Sequence, residues 1–136
     1  MRLHPELETI LAIMLHYAQR LVSQQGATIP FGVLLGDGEP VFVAANFNRN
    51  SEEMMSLVRM GLFEGAAGKK AAGICYSADS LSDRPANCRV IRAELEHRDG
   101  TAFRIEVPWS RGWFGRIKWG ERLVQLGTSQ FLPAPA

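Results

Sequence analysis

Cysteine is scarce in this chain, two among 136 residues, at Cys75 and Cys88. That is too few for the disulfide framework of a small secreted scaffold, and the two lack the paired spacing of a zinc ribbon. Reduced thiols in a cytoplasmic protein are the expectation. Long apolar runs are also missing: the stretch from Ile10 to Leu15 follows Glu6 and Glu8, which fits neither a signal peptide nor a membrane span. Neither sign of charge dominates, with 15 basic against 14 acidic residues and a net charge of +1. Nothing global therefore steers the chain toward nucleic acid or a membrane, and neither is expected as a partner.

Catalytic and cofactor signatures are equally sparse. The segment Gly65-Ala66-Ala67-Gly68-Lys69-Lys70 has too few residues between its glycines for a phosphate loop, and no Ser or Thr follows the lysines. It reads instead as a helix end with lysines near the negative pole. His4, His16 and His97 are scattered without metal-ligand spacing. No metal and no cofactor are expected.

What remains is the composition of an ordinary globular domain, 46% hydrophobic and 21% charged, long enough to bury about two-thirds of its extended surface without a metal or disulfide. No repeat or linker divides it, so residues 1–136 read as one domain. Charge is unevenly spread: residues 1–68 carry 4 basic and 7 acidic groups (−3), residues 69–136 carry 11 and 7 (+4). A basic face in the second half follows.

The clearest local signal is residues 90–109, where apolar and charged residues alternate on both sides of Asp99-Gly100, as in an antiparallel hairpin closed by two positive-φ residues. Ala93, Leu95, Phe103, Ile105 and Val107 share one set of faces; Arg92, Glu94, Glu96, Arg104 and Glu106 take the other, which predicts a sheet with one wet side. Upstream, the apolar spacing from Leu7 to Val22, with Pro5 early and Gly26 beyond, predicts a helix over 5–25. Two apolar strands, 31–35 and 41–47, flank the turn residues 36–40. A second helix over 51–64 follows, capped by Ser51 with Glu52 and Glu53 in its first turn; its internal Gly61 implies close packing.

Residues 71–78 read as a central strand and 79–87 as a loop. Residues 113–126 hold one more strand, and the proline-rich end, residues 128–136, is expected to fray. The fold class is thus α+β: a mostly antiparallel sheet of five or six strands with two helices, in the order α-β-β-α-β-β-β(-β). Element order over residues 5–126 resembles the profilin-like and roadblock families, and small bacterial α+β proteins. That resemblance implies sensing or scaffolding and transfers no site residue.

Four side-chain sets merit attention. Glu94 and Glu96 share a strand face, and such paired carboxylates can divide acid and base roles; cross-strand pairing with Arg92 and Arg104 is the alternative, and His97, next to Glu96, points to the opposite face. Cys75 and Cys88 flank the 79–87 loop; a symmetric loop pairs Cys75 opposite about Val90 and sets the thiols diagonally, and a one-residue slip separates them. Met14, Phe31, Phe42, Met54 and Met55 could line an apolar ligand pocket between helices and sheet. Trp109, Trp113, Phe114 and Trp119, interleaved with Arg111, Arg116, Lys118 and Arg122, suit core closure, partner docking or base stacking. The leading expectation is a non-enzymatic interaction or scaffold domain, a homodimer or protein partner binding through a sheet edge or the Trp109 to Trp119 segment. A ligand-binding sensor is the alternative, and an enzyme using Glu94, Glu96 or His97 the third.

Overall fold

The computed structural model describes residues 3–44, 50–78 and 89–132. Helix α1 spans Pro5–Gln25. His4 caps it by accepting the Glu6 N–H on Nδ1 at 3.1 Å, and Gly26, at φ 78°, ends it by donating to the Val22 carbonyl. Strands β1 (Phe31–Leu35) and β2 (Val41–Ala44) form a hairpin, and helix α2 (Ser51–Gly65) leads into β3 (Ala71–Ala78). The α2 cap is Asn50, not Ser51: its Oδ1 accepts the Glu53 N–H while its Nδ2 donates to the Glu53 carboxylate, a reciprocal closure of the first turn.

Strands β4 (Arg89–His97) and β5 (Ala102–Arg111) continue the sheet, followed by a 3-10 turn (Trp113–Gly115), β6 (Ile117–Trp119) and β7 (Leu123–Leu126). All pairings are antiparallel, in the order β2-β1-β3-β4-β5-β6. The seventh strand, one more than expected, shares the outer edge of β5 with β6: β6 pairs with residues 109–111 and β7 with 103–106. The α+β class and the element order stand.

The two helices lie on opposite faces. Gly32 of β1 and Gly73 of β3 point to opposite sides, and each marks where a helix seats. A Cβ on Gly73 would lie 2.7 Å from Met14 Sδ of α1, and one on Gly32 would lie 2.7 Å from a Leu62 methyl of α2. Gly61 on α2 itself is pressed against Val43, as the sequence implies. The larger core joins the apolar stripe of α1 to Phe31, Ile91, Leu95, Phe103, Ile105 and Trp109; the smaller joins Val58 and Leu62 to Leu34 and Ile74.

The β4–β5 hairpin alternates as expected, with a different turn. Gly100 alone takes positive φ there; Asp99 does not. Gly100 N–H bonds to the His97 carbonyl and the Asp99 carboxylate caps the Thr101 N–H, the type I turn with a glycine bulge that joins many hairpins. Cys75 pairs with Ala93, three places from the symmetric expectation, because β3 and β4 meet through Ala78 and Val90. It is buried in the α1-side core, and burial pushes its thiol up. Cys88 lies outside the described residues. The expected frayed end is docked as far as Leu132, with Phe131 and Leu132 buried in the smaller core.

Candidate functional site

On the face opposite α1, α2 covers β1 to β3 and leaves β4, β5 and β7 to a polar cluster. This side is only partly wet, with Arg92, Glu94 and Arg104 half-buried. Glu96 is 2% exposed and Glu106 fully buried. Arg92 donates from Nε and Nη2 to Glu106 Oε2 at 3.1 and 2.8 Å. Burial opposes the Arg92 charge, but Glu106 and Tyr76 more than offset it and raise its pKa. The Glu96 carboxylate accepts three backbone N–H groups, from Gln130 at 2.6 Å, Phe131 at 2.7 Å and Leu132 at 2.6 Å. That is the clamp that docks the chain end.

Glu94 does not pair with Arg104, its partner in register. It accepts from Tyr76 Oη at 2.7 Å, Arg59 Nη2 at 3.1 Å and Gln130 Nε2 at 2.8 Å, while Arg59 also meets the Gln130 side-chain oxygen. Burial alone would raise the Glu94 carboxyl; these donors outweigh it and hold it below its ordinary value. Burial and the Glu94 contact push the Tyr76 hydroxyl the other way, upward. The sequence offered no signal for Arg59, Tyr76 or Gln130 as Glu94 partners, since they come from three distant segments.

Beside this cluster opens a cleft of about 380 Å³ lined by Glu94, Phe103, Arg104, Leu126, Thr128 and Gln130. Arg104 Nε is buried there with no hydrogen-bond partner among the described residues. Of the three candidate acid–base residues, Glu96 accepts backbone donors on both oxygens and Glu94 accepts from three side chains. His97 pairs with Ala71 and faces the other side of the sheet, so it is not brought to the Glu94–Glu96 pair.

His97 has a different association. Its ring stacks on His4 at 4.0 Å, its Nε2 lies 3.0 Å from Glu6 Oε1, and its Nδ1 accepts the Asp99 N–H. Hydrogen bonds donated by the Thr101 hydroxyl and N–H hold the Asp99 carboxyl below its ordinary value. His4, Glu6 and His97 offer ligand atoms within 4.8 Å of one another, the one such group among the described residues. The histidines are therefore not all scattered, as their sequence positions suggest. His4 Nδ1 is spent on the helix cap and both His97 nitrogens are engaged, so a metal would have to displace these bonds. The cluster fastens the start of α1 to the β4–β5 turn.

The five residues of the expected apolar pocket do not converge. Met14 lies in the α1-side core against Gly73, while Met54 and Met55 belong to α2 across the sheet. Phe31 and Phe42 stack at 6.5 Å with Tyr17 beside both.

The aromatic and basic segment divides. Trp109 is buried in the α1-side core under the Arg89 guanidinium, and Trp119 is half-buried against that core. Trp113 and Phe114, at the tip of the β5–β6 hairpin, are 86% and 99% exposed. Phe114 holds φ 63°, left-handed and unusual for a bulky residue; Arg111 braces the turn by donating to the Gly115 carbonyl. Arg111, Arg116 and Lys118 surround the tip, all exposed.

At the other end of the sheet, β2 pairs with β1 alone among the described residues. Val41 is 43% and Phe42 50% exposed, and Tyr17 and Leu57 expose apolar surface on α1 and α2.

No family model, curated protein or solved structure matches this chain. The likeness to profilin-like and roadblock proteins thus rests on element order alone. Among the described residues no helix is long and apolar enough to cross a membrane.

Proposed function

We propose that the chain is a non-catalytic interaction domain that pairs with a second copy of itself through β2. The observation that carries this is the β2 edge: Val41-Phe42-Val43-Ala44 has no charge and no proline, and it exposes Val41 and Phe42. Sheet edges are ordinarily blunted by charge, proline or a bulge, and an open apolar edge is a template for another strand. Antiparallel pairing of β2 with its copy is self-complementary, as a two-fold interface requires. Such pairing sets no like charges opposite each other on this strand. The tip at Trp113 suits self-pairing less, because its cations would face cations.

Sedimentation equilibrium across the micromolar range tests the proposal. The expected result is a concentration-dependent dimer that Phe42→Lys converts to monomer with unchanged circular dichroism. A wild-type monomer throughout, or a dimer indifferent to Phe42→Lys, refutes it.

Small-ligand binding is a second reading, favoured by Arg104. A buried guanidinium nitrogen without an acceptor among the described residues, beside a polar cleft, suits a small carboxylate or phosphate that supplies one. Thermal shift with a panel of small anions checks it: stabilisation that Arg104→Met abolishes supports this reading, and no shift removes it.

A further inference from the structure

We propose that the tip of the β5–β6 hairpin docks on the surface of an anionic lipid bilayer. Trp113 and Phe114 stand side by side at the tip, almost wholly in solvent. Large aromatics are rarely left this way unless something covers them, because each offers a large apolar area for burial. The left-handed φ of Phe114 costs backbone energy with no packing in return. That cost is compatible with a contact made outside the monomer.

The surrounding charge says what kind of surface this is. No acidic residue occurs between Glu106 and Glu121, whereas Arg111, Arg116 and Lys118 all lie there. Strand register places Lys118 with Ser110 on one face of the hairpin and Arg111 with Ile117 on the other, and Arg116 directly follows the turn. The cations therefore ring the stem instead of lining one side. An acidic peptide or a nucleic-acid strand lying along the hairpin would select cations on a single face. A ring of cations behind an aromatic apex matches a layered target, apolar within and anionic at its surface. Trp and aromatic rings favour the bilayer interface, and basic residues near it are drawn to anionic headgroups. The absence of a spanning segment, which argues against a membrane partner at the level of sequence, has no bearing on a surface contact of this kind.

The proposal is independent of pairing through β2, which lies at the far edge of the sheet from β6. The test is flotation of the full chain with vesicles of phosphatidylcholine alone or mixed with phosphatidylglycerol, read together with tryptophan emission. Trp113 is the most exposed of the three tryptophans, so insertion is expected to shift emission to the blue. Binding should require phosphatidylglycerol and weaken with salt. Arg116→Ala should reduce it about five-fold, and Trp113→Ser with Phe114→Ser should abolish it while circular dichroism stays unchanged. A monomeric Phe42→Lys variant should bind as wild type does, through the tip alone. No binding by folded protein, binding retained in the double variant, or binding to soluble polyglutamate or single-stranded DNA in preference to the vesicles overturns the proposal. In the last case the tip is a docking site for that macromolecule.

Discussion

Glu96→Ala should release the chain end without unfolding the domain. In the native protein the buried carboxylate accepts N–H groups from Gln130, Phe131 and Leu132 at 2.6 to 2.7 Å. Hydrogen bonds to a charged group contribute about 1.5–3 kcal/mol each when counted singly. Burying the Phe131 and Leu132 side chains adds about 1.5–3 kcal/mol apiece. Against this, holding the backbone of residues 128–132 costs about 1–2 kcal/mol per residue. The difference is a few kcal/mol, so the segment stays docked only while the clamp is intact.

Removing the carboxylate should therefore cost roughly 2–4 kcal/mol, capped by undocking, which lets water solvate the three N–H groups. Hydrogen exchange is the assay. In Glu96→Ala the amides of Phe131 and Leu132 should exchange as freely as an unstructured peptide, while those of β3 and β4 keep slower, global-type exchange. Should the Phe131 and Leu132 amides stay protected in the variant, with global stability within about 0.5 kcal/mol of wild type, the clamp argument fails.

Glu94 is held below its ordinary pKa of 4.5 in the fold. The unfolded chain then binds more protons in acid, so the Glu94 contribution is complete above its unfolded pKa and lost as pH falls through the folded one. Denaturant titrations should show a gap between wild type and Glu94→Gln that is constant near neutrality and narrows below about pH 4.5; a gap that widens in acid contradicts the sign. Gly73→Ala drives a methyl into Met14, Ile10 and Leu95 and should lower stability by about 1–3 kcal/mol through overpacking, seen as a reduced urea midpoint; an unchanged midpoint would mean α1 is not seated there. Phe114→Gly removes no packing, because the ring is exposed, and relieves a left-handed φ worth roughly 1–2 kcal/mol, less about 0.5–1 kcal/mol of added unfolded-state entropy. Its melting temperature should rise slightly, and a fall would show that the ring is supported by contacts in the monomer.

The sequence by itself determined the periodic parts of this protein. The apolar spacing from Leu7 to Val22, the alternation through Ala93 and Ile105 and the pressed contact at Gly61 are local patterns, and side-chain direction repeats with period 3.6 or 2 whatever the rest of the chain does. Register and faces were not determined that way. Periodicity within each strand does not say which residues of two strands lie opposite each other, so the pairing of Cys75 with Ala93, three places from the symmetric expectation, depended on how β3 and β4 met in space. Opposite placement of the helices, which separated Met14 from Met54 and Met55, depended on which face each crossed.

The same holds for the polar sites. Glu96 and Glu94 read as a solvated pair until residues 18 to 36 positions away supplied their donors. His4 and His97 stack only because α1 begins beside the β4–β5 turn. Trp109 and Trp113 look alike in sequence, yet one is core and the other solvent. That difference was decided by where β5 leaves the layer covered by α1, since burial is a property of the assembled surface and not of the residue.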